Sequence, residues 1–234
     1  MESQPLYIAD GHHRYESALA YCRERRVVNP GVGSDADFNF VLMTLIDFND
    51  SGLLVLPPHR LVRGLSPTTI KGLASRLEDF FTTEWWQIEK DVWPKVTRML
   101  EEGEPTQDRL VVVGLDPEHV LVLKLKNPTA ARWLMPTFHS ERYQHLLVSV
   151  VDHVILEKLL ELGSNHEDPR LGYFYDHEQA VSQVQRGEYQ LAFLLSPIKT
   201  HVIKDVADSR DRMPRKATYF YPKLPSGLVF YKIR

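Results

Sequence analysis

A single cysteine, Cys22, in 234 residues excludes an intrachain disulfide framework and any zinc site built on several thiolates. Long apolar runs are missing too. No uninterrupted stretch of about 18 apolar residues occurs, and the chain does not open with a basic segment followed by an apolar one, so neither a membrane span nor a secretory leader is expected and a cytoplasmic protein is. Charge of one sign is also lacking. The 28 Lys and Arg stand against 31 Asp and Glu, a formal net charge of -3, which gives the chain as a whole no attraction for nucleic acid or anionic lipid. The basic residues are nonetheless uneven: residues 209–234 carry a balance of +6, leaving -9 for the rest. No internal repeat or low-complexity segment is present.

What remains is ordinary globular material, 43% hydrophobic and 25% charged, enough for one substantial domain or two small ones. Apolar spacing predicts a short strand at Leu6–Ala9, a turn at Asp10-Gly11, and a helix from about His13 to Arg25 with Tyr15, Ala18, Leu19 and Cys22 on its inward face. Phe38 to Asp47 reads as a central strand covered on both faces, and Leu53 to Leu56 as a short strand stopped by Pro57-Pro58. Ser66-Pro67 caps a helix running through Leu77 to Phe80-Phe81. Then follow an edge strand at Trp85–Val92, a helix at Pro94–Glu102, and a hairpin of Leu110–Leu115 with His119–Lys126. Ser140 to Leu162 carries a broad apolar face and reads as the longest helix. Strand Leu171–Tyr175, helix Glu178–Arg186 and strand Gln190–Leu195 follow in a β-α-β order that favours parallel pairing. A brief helix at Thr200–Ser209 and a terminal hairpin of Thr218–Phe220 with Leu228–Tyr231 complete the expectation. The fold class is α+β, mixed sheets with packed helices. Two lobes are expected, 1–130 and 131–234, either distinct or parts of one continuous body.

Asp10-Gly11-His12-His13-Arg14 holds the densest chemistry. It sits where a helix begins, and a helix start offers backbone N–H groups and a potential that favours anions. Glycine lets backbone approach a ligand closely, and the Arg14 fork matches phosphate oxygens. His12 or His13 can donate or move a proton near neutral pH, while Asp10 and Glu16 can orient an imidazole, hold magnesium or accept a proton. A plain reading fits the same residues: a capping Asp10, a turn glycine, solvent-facing histidines and an Arg14 paired with a carboxylate. Adjacent histidines point in different directions, so they share a metal only with distant ligands. A metal is left open.

Two further groups qualify. His59-Arg60 follows a strand end, a common place for ligand contacts. Arg215 and Lys216, with Lys223 nearby, give a local positive field among Tyr219, Phe220 and Tyr221, which suits either a base-stacking surface or an edge strand with snorkelling basic chains. Cys22 reads as a structural thiol, and the Trp85-Trp86 and Trp93 group as packing.

Tyr7-Ile8-Ala9-Asp10-Gly11-His12-His13-Arg14-Tyr15-Glu16 closely resembles the signature of the bacterial domain of unknown function 1015 family. Leu54-Val55-Leu56-Pro57-Pro58-His59-Arg60-Leu61-Val62 and the stretch from Met213-Pro214 through Lys216 and Thr218 to Leu224 are similar to that family as well. The resemblance implies that the chain is the C-terminal portion of a longer member, with Ala217 standing where the family tends to have Ser. The Asp-Gly-His-His-Arg box also resembles, more distantly, the phosphate-contacting box of the ParB and sulfiredoxin superfamily. That likeness implies phosphate contacts from Gly11, His12, His13 and Arg14, with proton or metal handling by Asp10 or Glu16.

The expectation is a nucleotide-binding phosphoryl-transfer or nucleotide-hydrolysing enzyme. It would use ATP, ADP or CTP with magnesium, with Asp10, His12, His13 and Glu16 as catalytic candidates and Gly11, Arg14, His59, Arg60, Arg215 and Lys216 as cofactor-binding candidates. The alternative is a non-catalytic regulatory or nucleic-acid-binding module. A phosphorylated small molecule would serve as partner as well as a nucleotide; nucleic acid is the weaker expectation, and no membrane partner is expected.

Overall fold

The structure is a computed structural model that describes residues 5–102, 109–163, 168–225 and 227–233. It is a mixed α+β fold with two sheets and several packed helices. By the density of its contacts the chain divides into two units, residues 1–54 with 220–234, and residues 55–219. The two crossing points lie after residues 54 and 219. Both fall inside short strands, β1 (Leu54–Leu56) and β8 (Tyr219–Tyr221), which form the two-stranded sheet.

The larger unit is built on six strands: β2 (His59–Val62), β3 (Phe81–Gln87), β4 (Arg109–Val113), β5 (His119–Leu125), β6 (Leu171–Phe174) and β7 (Leu191–Leu194), in the order β3-β5-β4-β7-β2-β6. Every pairing is antiparallel. Strands 4 and 7 read as unbroken apolar runs because both faces of the sheet are covered. On β4, Leu110 and Val112 enter one core while Val111 and Val113 enter the other. The first core is closed by α2 (Pro67–Leu77), α4 (Pro128–Arg132), α8 (Thr200–Asp208) and the segment from 141 to 162; the second is closed by α3 (Val92–Glu102) and α7 (His177–Gln185).

Local chemistry explains the boundaries. Ser66 accepts a hydrogen bond from the Thr69 N–H with Pro67 at the first helical position, so α2 starts where the cap and proline direct. Asp176 caps α7 in the same way through the Gln179 N–H.

Several expectations are corrected. The long helix over 140–162 is instead α5 (Glu141–Gln144), α6 (Leu147–Val150) and a π-helical run over Val151–Leu159. Leu146 adopts an extended backbone that interrupts the first turn, and the Leu160 N–H reaches back five residues to the Ile155 carbonyl. Strands β6 and β7 are parallel to one another but not paired: β2 lies between them, antiparallel to both. That central strand was missed because Pro57-Pro58 reads as a stop, whereas the chain re-enters a sheet one residue later.

In the smaller unit α1 (His12–Val28) forms as expected but has no buried residue. Leu6–Ala9 is not a strand, and Phe38–Asp47 is a 3-10 turn (Asp37–Asn39) followed by irregular chain. Phe40, Leu42 and Ile46 are exposed although their composition suits a central strand; β-propensity describes fit to a sheet, and here no sheet receives the segment. The unit is held by polar contacts, Arg26 to Asn39 at 3.0 and 2.8 Å and Tyr231 to Asp37 at 3.3 Å, and by an edge-on Tyr7–Phe48 ring pair. Leu228–Tyr231 forms no hairpin strand.

Candidate functional site

Gly11 is the N-cap of α1 and adopts φ 79°, ψ 26°, the left-handed region that glycine enters without steric cost. A Cβ at this position would lie 3.1 Å from the Arg14 guanidinium, which folds back over the glycine. The first turn carries no acidic residue and no side chain caps it, so the positive end of a 17-residue helix faces the turn. Into that field projects the Asp10 carboxylate, 3.8 Å from Arg14 Nη2 and 3.2 Å from Lys223 Nζ. Partial burial works against ionisation of Asp10, but the hydrogen bond and charge of Lys223, the Gly11 N–H and the Arg14 charge outweigh it, and the carboxyl lies below its ordinary value. His13 Nδ1 stands 3.9 Å from Glu16 and both are exposed, as is His12. Folding therefore joins to the Asp10–Glu16 junction a lysine 213 positions beyond Asp10 in the chain.

The other candidates belong to the larger unit. Arg60 on β2 is fully buried: its Nε and Nη2 donate to the two oxygens of Asp152 at 2.9 and 3.0 Å, Nη1 donates to the Pro58 carbonyl, and the guanidinium lies 5.6 Å from the centre of the Tyr173 ring. His59 is also buried and its Nδ1 accepts the Leu195 N–H, which places the ring proton on Nε2. Burial, with the nearby His177 and Arg60 charges, pushes the imidazole down to about 4 against the opposing pull of Asp176. Arg215 and Lys216 are exposed; Lys216 takes φ 54° and its ammonium lies 6.0 Å from the Tyr173 ring centre. The Tyr175 and Tyr219 rings meet at a tilt of 33°, their centres 4.1 Å apart.

Sequence reasoning missed Asp152 altogether and, for Lys223, the pairing with Asp10. Asp152 interrupts an otherwise apolar helical face between Val151 and Val154, and a carboxylate in that setting calls for a buried cation. Lys223 was visible only as part of a basic cluster, and no local spacing connects it with Asp10. Cys22 is half-buried with its Sγ 3.4 Å from Asn39 Oδ1. Among the described residues no group of three or more His, Cys, Asp or Glu is arranged to hold a metal ion, and no helix is long and apolar enough to cross a membrane.

A family model described as "Protein of unknown function (DUF1015)" matches residues 1–154. This corrects the expectation that the chain is the C-terminal portion of a member with likeness along its full length: the match covers the N-terminal portion, and the Met213–Leu224 stretch lies outside it. No curated protein matches the chain. Among solved structures, a conserved hypothetical protein from Pyrococcus furiosus is 16% identical, with 93% of this chain and 71% of that one covered and a TM-score of 0.44. A free serine kinase in complex with AMP is 17% identical over 91% of this chain and 66% of its own, TM-score 0.45, and a variant of a free serine kinase in complex with ADP is 15% identical over the same shares, TM-score 0.42. Superpositions this loose assign no residue of this chain by analogy.

Proposed function

Because the chain belongs to the DUF1015 family, which carries no activity in its description, we propose from the residues themselves that the Asp10–Glu16 junction binds the phosphates of a nucleotide. The observation that carries this reading is the Asp10 carboxylate held between Arg14 and Lys223 at the uncapped start of α1. The protein's own anion occupies a place where helix dipole, backbone N–H groups and two cations all favour negative charge. A phosphate carries more charge than a carboxylate and offers three oxygens, so it competes for the same cations and releases the Asp10 carboxylate from them. The likeness of the box to the ParB and sulfiredoxin superfamily supports the same assignment.

In the enzymatic form of this reading ATP, ADP or CTP arrives with magnesium. Gly11 and Arg14 hold phosphate, and Asp10 or Glu16 aids the metal or takes the proton of the attacking hydroxyl or water. His12 or His13 returns a proton to the leaving phosphate oxygen. Arg60 is fully engaged by Asp152 in the core of the larger unit, and Arg215 and Lys216, exposed in that same unit, take no part in this reading of the Asp10–Glu16 junction.

Thermal unfolding of the full chain with ATP, ADP or CTP and magnesium tests the reading. A ligand at 100 times its Kd raises stability by about 2.7 kcal/mol, and Arg14→Gln should remove the shift without changing the melting temperature of the free protein. Unchanged melting with all three nucleotides overturns it; release of inorganic phosphate separates an enzyme from a binding protein. The +6 segment favours a second reading, a nucleic-acid-binding module. In that case binding to duplex or single strand weakens steeply with salt, through counterion release.

A further inference from the structure

The larger unit contains a cleft of about 390 Å³ between α3 and the first turn of α7, within the size range of small-molecule sites. None of the residues discussed for nucleotide binding lines it. Trp93, Thr97 and Glu101 recur every four residues along α3 and so share one face, with Arg98 beside them and His177 and Glu178 across the cleft. At the contact between the two helices, Thr97 Oγ1 and His177 Nε2 lie 2.9 Å apart, a hydrogen bond between elements 80 positions apart. The side chains of α3 that face the second core, Val96 and Leu100, are buried, so the opposite edge of the same helix is held rigidly at the cleft.

The charges around the cleft are of both signs, and among the described residues none of Arg98, Glu101 and Glu178 forms an ion pair within 4 Å. One guanidinium beside two carboxylates repels a phosphate dianion, and the described residues hold no metal-ligating cluster here. A ligand that carries a carboxylate and an ammonium satisfies both signs at once. The Arg98 fork pairs with the carboxylate; Glu101 and Glu178 pair with the ammonium; and the indole of Trp93 offers a wall for an apolar side chain.

We propose that the α3–α7 cleft is a binding site for a small zwitterion, a free α-amino acid with an apolar or aromatic side chain, oriented by Arg98 and Glu101 on α3 and Glu178 on α7 over the Thr97–His177 pair. The probes are L-phenylalanine and two analogues that each lack one charge, 3-phenylpropionate and phenethylamine. Each is titrated into the full chain and followed by amide NMR shifts. L-phenylalanine should shift residues 93–101 and 177–178 selectively and bind at least about tenfold more tightly than either analogue, the factor expected from loss of one charge-assisted contact. Arg98→Gln should abolish the advantage over phenethylamine, and Glu178→Gln should reduce that over 3-phenylpropionate. Both residues are at the surface of their helices, and the unperturbed spectrum of the remainder checks the fold. The proposal is overturned by an absence of selective shifts with L-phenylalanine at ~10 mM, a concentration that fills most of a millimolar site. It is equally overturned if all three probes bind alike, or if the Arg98→Gln protein retains the preference.

Discussion

Aspartate meets a cation in both units of this protein, and the two cases differ in almost everything except chemistry. On β2 of the larger unit, Arg60 and Asp152 form a two-pronged pair with both residues buried. At the start of α1 in the smaller unit, Asp10 sits between Arg14 and Lys223 at longer distances, with roughly half or more of the Asp10 and Arg14 side chains in water. A buried pair is locked because either partner alone would be a stranded charge in a medium that solvates it poorly. An exposed pair can part at little cost because water accepts both ends. The first therefore belongs to the architecture, and the second can yield to an incoming anion.

The contrast is most sharply tested where it is largest. Asp152→Ala should destabilise the protein by about 3–5 kcal/mol, read by urea unfolding, since Arg60 is left buried without its counter-charge. The double replacement Arg60→Met with Asp152→Leu should recover much of that loss, because the cost lies in the stranded charge rather than in the absence of attraction. A mild loss for the single variant would mean that Arg60 reaches water and that the two pairs are not different in kind. The same division predicts unequal costs for one substitution. Phe193→Ala, at a fully buried position of β7, should cost about 3–5 kcal/mol. Phe40→Ala, at a residue 54% exposed in the smaller unit, should stay within about 0.5 kcal/mol.

His59 makes the larger unit sensitive to acid. Its folded imidazole titrates at about 4, below the ordinary 6.5, chiefly because burial disfavours the charged ring. Between these values the unfolded chain binds more protons than the folded one, so stability rises with pH. The contribution is complete above about 6.5 and is lost as the pH falls toward 4. Across this window the change is on the order of 3 kcal/mol. His59→Gln should flatten the dependence of unfolding free energy on pH in that range, and an unchanged slope would place the acid sensitivity elsewhere.

The larger unit was the more legible from sequence, and the reason is physical. Its strands and helices are fixed by patterns that local residues carry: Ser66-Pro67 starts α2, the Asp116-Pro117-Glu118 turn joins β4 to β5, and Asp176 starts α7. Some of what failed there depended on partners distant in sequence, such as β2 entering between β6 and β7 or Asp152 finding Arg60; the apolar face over 140–162, by contrast, conceals a local break at the extended Leu146 and the π-helical run after it. In the smaller unit Phe38–Asp47 carries the composition of a core strand without a sheet to receive it, so the same rules predicted an element that does not form. The Asp10–Arg14 half of the candidate site was readable because a turn glycine and a helix start are neighbours in sequence. Lys223 was not, since only the folded chain joins it to Asp10.

That long-range contact supplies the smallest effect and the most specific one. Lys223→Gln removes an exposed ammonium and should cost under about 1 kcal/mol in stability, too little to distinguish the two units by unfolding alone. The Asp10 carboxyl is the better reporter. Partial burial pushes its pKa upward, and Lys223 is first among the groups that bring it below 3.8, so the variant should titrate at a higher pH by carboxyl-detected NMR. Its contribution to stability, present above the ordinary carboxylate value and lost as pH falls through the lowered one, should shrink at the same time, in a window more acidic than that of His59. If Asp10 titrates unchanged, Lys223 is not its partner in solution, and the proposed phosphate site must rest on Arg14 without it.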